Sequence, residues 1–520
     1  MPEPFYITTA INYPNGRPHV GHAYEAIATD AIARFQRLSG RDVFFLTGTD
    51  EHGLKMAQAA RENGVEPAAL ADEMSSVFRR LDERLQISFD RFIRTTEEEH
   101  HRASRAIWEA MAARGDLYLG RYEGWYSVRD EAYYDEEELV AGEGEEKLSP
   151  QGTPVEWTVE ESWFFRLSAY QDRLLAHYEA NPGFIRPESR RNEVLRFVEG
   201  GLSDLSVSRT SFDWGVKVPG DGDHVMYVWL DALTNYLTGI GYPDTDLDTY
   251  RRFWPADLHV IGKDVVRFHA VYWPAFLMSA SLPLPKQVFG HGHVLLRGEK
   301  MSKSAGNVVD PDGLIDAFGV DAVRYFLLRD VTFGQDGSYS PEAIVVRVNA
   351  DLANSFGNLA QRTLSFIAKN CGGLLPSGGR GDPADADLLA LVRHATAVEL
   401  PSRFGELALS QGIEAWIRAV FACNQYIDAQ APWMLRKSDP ERMTAVLATL
   451  CEAIVDLAIA ISPVIPLGSV KLLDQMGVPQ GERDFTVLDD KERYARLAAS
   501  GFTLDAPAPI FPRIEAQAAS

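Results

Sequence analysis

Residues 4–53 read PFYITTAINYPNGRPHVGHAYEAIATDAIARFQRLSGRDVFFLTGTDEHG. The apolar run PFYITTAI suits a buried strand. HAYEAIATDAIARFQRLSG then carries Ala26, Ile27, Ile32, Phe35 and Leu38 on one side, the stripe of an amphipathic helix, with Gly40 as its stop. DVFFLTGT is a second apolar strand that opens into a polar loop around Asp50. Strand, helix and strand in this order begin a parallel, doubly wound α/β sheet. Such sheets bind ligands beyond their strand C-termini, where helix starts present free N–H groups and partial positive charge. His19 and His22 fall at that junction, three apart around Gly21. They can serve as capping or surface histidines, or donate together to one phosphate while Gly21 lets a flat base approach.

Outward from this stretch, helical pattern continues to about residue 113. Residues 116–224 then turn rich in Glu, Gly and aromatics with short strand-like pieces. Near 226 the α/β pattern resumes: YVWLDALTNYL as a helix, DLHVIG as a strand, RFHAVYWPAFLMSA as a helix and QVFGHGHVLL as one more strand. One α/β sheet is therefore split by an insertion of about a hundred residues and followed, from about 346, by a helical region. The fold class expected is α/β, a doubly wound parallel, Rossmann-like sheet split by an α+β insertion, followed by a C-terminal α-helical bundle.

With 520 residues, the chain exceeds one ordinary core, so several domains are expected. The start, MPEPFYITTA, has no basic region and does not read as a signal peptide. AIVDLAIAISPVIPL contains Asp456 and two prolines and reads as a buried helix with its exit, not a membrane span. The three cysteines, Cys371, Cys423 and Cys451, are scattered and signal neither disulfides nor a thiolate metal knuckle. A cytoplasmic protein with no membrane partner is expected. The net charge of −23 opposes indiscriminate binding to a polyanion such as DNA. The excess is uneven: residues 116–224 carry −12, whereas 346–520 carry −4, so a polyanionic partner is least disfavoured along the helical third.

The second signal is KMSKS, Lys300 to Ser304, between Gly298 and Gly306. Alone it suits a solvated basic turn. Two lysines three apart on a glycine-hinged loop can also reach one polyphosphate. An H-x-G-H at the first strand–helix junction, with K-M-S-K-S after the last strand of a split sheet, resembles the class I aminoacyl-tRNA synthetases. The resemblance narrows to the methionyl-tRNA synthetase family over nearly the whole chain, through AINYPNGRPHVGHAYE, TGTDEHG, VEESWFFRL, YVWLDALTNY, IGKDVVRFHAVYWPA, GHGHVLLRGEKMSKS and APW.

That resemblance implies catalytic roles for His19 and His22 at the α-phosphate of ATP, and for Lys300 and Lys303 at the departing pyrophosphate. It implies in-line phosphoryl transfer, dominated by positioning and charge stabilisation, with Mg²⁺ accompanying ATP. It implies an amino-acid site of Ile11, Tyr13, Asp50, Trp229, Ala232, Leu233, Tyr236, Phe268 and His269, with Asp50 on the ammonium group. Aromatic walls suit a long, polarizable thioether, although Trp229, Ala232 and Tyr236 alone also suit ordinary core spacing. ATP contacts are implied for Gly21, Glu25, Gly262, Lys263, Asp264, His291, Met301 and Ser302. His52 is a further candidate for the site lining, whereas His100 and His101 read as solvated.

The implied partners are methionine, ATP and tRNA(Met), with the helical third on the anticodon. Unpaired bases are read by stacking and by edge hydrogen bonds. Trp433 offers a stacking face, Asn354, Asn358 and Arg362 form an i, i+4, i+8 stripe, and Arg436 and Lys437 can meet phosphate. The same residues would equally serve as a core anchor and a solvated helix face. The implied domains are 1–115 and 226–296 for the two catalytic halves, 116–225 for the connective insertion, 297–345 for the K-M-S-K-S loop and stem-contact region, and 346–520 for anticodon binding. Where many relatives carry zinc knuckles, WYSVRDEAYYDEEELVAGEGEEKLSPQGTPVEW has neither cysteine nor histidine, so no structural zinc is expected and Trp125, Tyr126, Tyr134 and Trp157 must pack the insertion. A monomer is expected, because no appended module follows the helical region. The insertion is too short for the editing domain of an Ile, Val or Leu enzyme. A smaller nucleotidyltransferase sharing H-x-G-H, another class I synthetase, and a non-catalytic scaffold are the competing readings. The last would lose His19, His22, Asp50 or Lys300, all of which are present.

Overall fold

The structure, a computed structural model, describes residues 2–130, 132–142, 144, 146–299, 309–378, 381–488, 490, 492–504 and 507–515, with the side chains of 122, 132, 133 and 160 left aside. Its centre is a six-stranded sheet. β1 (Pro4–Thr8), β2 (Asp42–Thr49), β3 (Arg91–Arg94), β6 (Ile185–Arg186), β7 (Leu258–Gly262) and β8 (Val288–His291) lie in the order β3-β2-β1-β7-β8-β6, and every pairing is parallel. Strand alternation sorts the core. Phe5 and Ile7 of β1 face one side, against Ile27, Ala28 and Ile32 of α1 (Val20–Leu38), whereas Tyr6 faces the other. That second side is covered by α3 (Glu98–Ala113) and α4 (Val228–Thr238), through Ile107, Trp108, Leu233 and Leu237. Each such side chain, fully buried, contributes on the order of 1.5–3 kcal/mol.

QVFGHGHVLL is not one strand. It breaks after His291, and β9 (Val294–Leu296) pairs with β10 (Gly337–Tyr339) in a separate two-stranded sheet. Gly292 sits at the break because a Cβ there would lie 2.2 Å from the Gln335 carbonyl carbon. A second departure is the edge strand β6, which comes from inside the insertion and pairs Ile185 with Val288. The insertion thus completes the sheet that it interrupts.

The insertion's own core is a long antiparallel hairpin, β4 (Leu117–Ser127) against β5 (Glu156–Phe165), in register from Leu117–Phe165 to Tyr126–Glu156. Trp125 and Trp157 meet edge to face at 5.3 Å, and Lys147 Nζ stands 4.2 Å over Trp125. Trp157 is largely exposed, so it covers this contact and does not centre a core. Beyond the tryptophans, Asp130 Oδ2 accepts from Ser149 Oγ (2.5 Å), Thr153 Oγ1 (2.6 Å) and Tyr134 OH (3.0 Å), and Ser127 Oγ meets Thr153 Oγ1 at 2.7 Å. A carboxylate–hydroxyl cluster joins these loops.

The helical third begins after α2 (Pro67–Arg84) and α5 (Val320–Asp330) have packed beside α1. Asn349–Gly357 is π-helical and continues into α6 (Asn358–Asn370); α7 (Pro432–Ser438) and α8 (Pro440–Ile461) follow. α8 holds AIVDLAIAI and is buried along nearly its whole length inside the bundle. The apolar core runs unbroken from β1 and α1 through Tyr325 and Phe326 of α5 to Val446 and Ile454 of α8.

Candidate active site

The N-terminus of α1 lies just beyond the C-terminal end of β1. His19 is its N-cap, with extended backbone angles. His19 Nδ1 accepts from the Gly21 N–H, and His22 Nδ1 accepts from the His19 N–H, both at 3.1 Å. The rings stack with centroids 3.8 Å apart. Because each Nδ1 is an acceptor, the proton of each neutral imidazole sits on Nε2. The pair is a matched set of Nε2–H donors held by the backbone. Any Cβ at position 21 would lie 2.9 Å from the His19 ring, so the glycine protects that stack.

Glu25, one turn further on, ties this helix to the segment that follows β1 and to the end of β8. Its Oε1 accepts from the Ala10 N–H at 2.9 Å, and its Oε2 meets His291 Nε2 at 2.7 Å. Val20 N–H donates to the Val309 carbonyl at 3.2 Å, bringing the chain that follows KMSKS to the same helix start. Lys300, Met301, Ser302 and Lys303 lie outside the described residues.

Asp50 ends β2 in a loop braced from three sides. Its N–H donates to the Asn12 carbonyl at 2.8 Å, and Tyr13 OH donates to the His52 carbonyl at 2.7 Å. Trp214 Nε1–H donates to the Glu51 carbonyl at 2.6 Å, while Gly53 N–H donates to the Trp214 carbonyl at 3.2 Å. The neighbouring Glu51 carboxylate is gripped by Arg94 at 2.7 and 3.0 Å. The phenol of Tyr236 lies within the fields of both Glu25 and Asp50, which add to the effect of its burial in raising its pKa.

The aromatic wall has its own geometry. Trp229 stacks on Phe268 at 3.8 Å, nearly parallel. His269 Nδ1 donates to the Val265 carbonyl at 2.9 Å, so Nε2 accepts from Tyr236 OH at 2.7 Å. Burial pushes the His269 pKa down to about 4, only partly offset by the Val265 bond, so the ring is neutral near pH 7. Phe268 and His269 lie on a π-helical turn, which widens the spacing at this wall. Ala232 and Leu233 are buried, and Ile11, Tyr13 and Trp229 pack partly buried against the same core.

Just beyond the C-terminal ends of β7 and β8, Lys263 Nζ donates to both oxygens of Asp336 at 2.8 Å, and Asp264 Oδ2 meets His293 Nε2 at 2.7 Å. Burial works against ionisation of Asp336, but Lys263 and the His293 N–H outweigh it and keep its pKa low. A Cβ at Gly262, where β7 ends, would lie 4.0 Å from Glu25 Oε2. The structure thus gathers His19, His22, Glu25, His291 and Gly262 at one strand–helix crossing.

The expectation for His100 is corrected. It is fully buried, with Nε2 2.7 Å from Asp231 Oδ1 and Nδ1 3.0 Å from Thr238 Oγ1. Its i+3, i+7 and i+11 neighbours Ala103, Ile107 and Met111 are buried as well, so it belongs to the inward stripe of α3. That periodicity was the available signal. His101 is half-buried, not solvated. Burial and the adjacent His52 lower its pKa. Asp231, His293, Asp336 and Trp214 carry no local signal in the sequence that marks them as members of the site.

In the helical third, Asn354 and Asn358 are exposed on consecutive turns, and Arg362 follows. Arg362 ion-pairs with Asp428 at 2.7 Å and stands 5.4 Å over the Trp433 ring, which is 44% exposed. The stripe and the indole therefore share one surface. Arg436 donates to Asn370 Oδ1 at 2.7 Å. Among the described residues, no group of three or more His, Cys, Asp or Glu is arranged to hold a metal ion.

A parallel sheet with paired histidines at its first crossover, an acid at the next strand end and a helical appendage defines the class I aminoacyl-tRNA synthetase architecture. The family model described as tRNA synthetases class I (M) matches residues 5–364, and that of the anticodon binding domain of methionyl tRNA ligase matches 375–520. A methionine–tRNA ligase of Brucella suis is 58% identical over 98% of both chains, and one of Mycobacterium tuberculosis is 57% identical over 99% of this chain and 98% of its own. The solved Mycobacterium tuberculosis methionyl-tRNA synthetase in complex with methionyl-adenylate superposes with a TM-score of 0.95 at 56% identity, covering 98% of this chain and 100% of that one. Its apo form gives 0.89 at 52% identity, covering 99% of both. The chain belongs to the methionyl-tRNA synthetase family.

Proposed function

We propose that the residues gathered at the β1–α1 crossing divide the labour of a methionine–tRNA ligase. The enzyme joins methionine to ATP as methionyl-adenylate and then passes methionine to the 3′ end of tRNA(Met). In the first step a methionine carboxylate oxygen attacks the α-phosphorus, the bond to the bridging β-oxygen breaks, and pyrophosphate leaves. Mg²⁺ enters with ATP as part of the substrate. His19 and His22 donate through Nε2 to the α-phosphoryl oxygens as charge builds there. Lys300 and Lys303 hold the leaving phosphates, with Met301 and Ser302 between them, and the anchoring of Val309 on Val20 supports their approach to the same ATP. Glu25, Gly262, Lys263, Asp264 and His291 line the nucleotide, and Gly21 admits its flat base.

Asp50 takes the ammonium group. Ile11, Tyr13, Trp229, Ala232, Leu233, Tyr236, Phe268 and His269 enclose the thioether. A neutral His269 keeps that wall uncharged. In the second step the terminal ribose hydroxyl attacks the adenylate carbonyl and AMP leaves. The helical third reads the anticodon through Asn354, Asn358, Arg362 and Trp433. The division into 1–115, 116–225, 226–296, 297–345 and 346–520, a monomer, a cytoplasmic setting and an insertion without zinc complete the proposal.

The observation that carries this reading is the stacked His19–His22 pair, whose Nδ1 atoms are both committed to the backbone. ATP–pyrophosphate exchange across the twenty amino acids tests it. Methionine alone is expected to drive exchange. Exchange with another amino acid at a comparable rate, or with none, overturns the reading.

A further inference from the structure

We propose that Asp231, with His52 and His100, is a positioning residue that sets the separation between the Asp50 loop and the α4 wall, and so sets the side-chain length the site accepts. This rests on the reading of Asp50 as ammonium partner and of α4 as thioether wall. Asp231 is fully buried on α4. Its Oδ2 lies 2.6 Å from His52 Nδ1, and its Oδ1 lies 2.7 Å from His100 Nε2. His52 follows Asp50 by two residues, in the loop that leaves β2. His100 belongs to α3. One carboxylate therefore joins three elements, with one oxygen for each imidazole.

The helix has two working faces. Trp229, Ala232, Leu233 and Tyr236 turn one way. Asp231, Thr234 and Thr238, at i, i+3 and i+7, turn the other, where the Thr238 hydroxyl meets His100 Nδ1 at 3.0 Å. The wall that meets the thioether is thus fastened from behind to the loop that meets the ammonium. Burial opposes ionisation of Asp231, but the two imidazoles outweigh it and hold the carboxyl below its usual range. Removing either imidazole leaves a buried carboxylate with one oxygen unsatisfied, and an asparagine at 231 cannot accept at both ends.

An apolar pocket separates side chains that differ by one methylene by about 10–200-fold, and only if its walls stay where they are. A ruler between ammonium and thioether is what the Asp231 bridge supplies. Methionine can then be told from norvaline, one heavy atom shorter, and from ethionine, one longer.

The test is pyrophosphate exchange by the full-length enzyme with methionine, norvaline and ethionine. His100→Ala is expected to raise the methionine KM about tenfold and to shrink the kcat/KM advantage of methionine over both analogues by at least about fivefold, leaving the ATP KM within about twofold. His100→Gln keeps an N–H donor toward Asp231 and is expected to stay within about twofold of the parent in every constant. Asp231→Asn should behave as His100→Ala does; if it does not fold, His100→Ala decides alone. An unchanged methionine KM and unchanged discrimination in His100→Ala, with only the melting temperature lowered, overturn the proposal. Asp50→Asn serves as control. If it leaves the methionine KM unmoved, the underlying assignment of the ammonium site fails, which is a different outcome from an effective Asp50→Asn beside a silent His100→Ala.

Discussion

Each of the two histidines in H-x-G-H uses one ring nitrogen structurally, which leaves the other chemically defined. His22→Ala removes an Nε2–H donor whose value rises as charge develops on the α-phosphate. The kcat of exchange is expected to fall by about 10²–10³-fold, roughly 3–4 kcal/mol, with the methionine KM nearly intact. Equal losses in methionine affinity and in rate would contradict that role. Asp82 makes a second case at this scale. Its Oδ2 has no hydrogen-bond partner among the described residues, and burial, followed by the charges of Asp30 and Glu83, pushes its pKa up to about 8. The unfolded carboxyl titrates near 3.8, so between those values the native state holds the extra proton and loses stability as pH rises. The steepest loss is about 1.4 kcal/mol per pH unit. Asp82→Asn mimics the protonated form, and its advantage over the parent in melting temperature should be larger at pH 8 than at pH 5. An advantage equal at both pH values would show that Asp82 does not titrate there. His100 was readable from the stripe that it shares with Ala103, Ile107 and Met111, but its partner Asp231 was not. A pair 131 positions apart leaves no trace in local periodicity.

Elements were the most legible scale. β1, α1, β2, α4 and β7 fall where the apolar runs and stripes of the sequence place them, because each buries a continuous face against the sheet. QVFGHGHVLL broke in two because Gly292 approaches the Gln335 backbone, a contact between segments that no window of either reveals. The stripe of Asn354, Asn358 and Arg362 spans a π-helical stretch and α6, yet both asparagines stay exposed. Beside it, α7 begins at Pro432 after Ala431 in the left-handed region (φ 42°), and this turn presents the Trp433 indole next to Arg362. Stacking on an indole is worth about 1–3 kcal/mol per base. Trp433→Ala should therefore lower kcat/KM for tRNA charging by roughly 5–150-fold and leave pyrophosphate exchange unchanged. A matching loss in both assays would make the tryptophan a structural anchor.

Across the molecule, Arg324 of α5 joins the sheet to the helical third. It is fully buried and ion-pairs with Asp30 of α1 at 2.7 Å. The same guanidinium donates to the Leu85 carbonyl (3.1 Å), after α2, and to the Pro463 (2.8 Å) and Val464 (3.1 Å) carbonyls, after α8. Arg324→Ala leaves the buried Asp30 carboxylate with only Arg34 and Ser88 and takes the guanidinium donor from three carbonyls, and is expected to cost about 3–5 kcal/mol of stability by urea denaturation. Arg324→Lys should recover little of it, since an ammonium cannot fork to four acceptors on one plane. A loss below about 1 kcal/mol would show that the helical third is not tied through this residue.

From the order of residues alone came the split α/β sheet, the position of the paired histidines at its first crossing, the acid at the end of the second strand and the helical third. These follow from periodicity and from short motifs, which act over a few turns of chain. Folding in three dimensions settled the rest: the insertion lending an edge strand to the sheet, Asp231 bridging two distant imidazoles, and Arg324 knitting four segments. The edge strand pairs backbone groups that β8 would otherwise leave open, and the two charge clusters arise because buried charges must find partners wherever the packed chain supplies them; both depend on which distant segments meet.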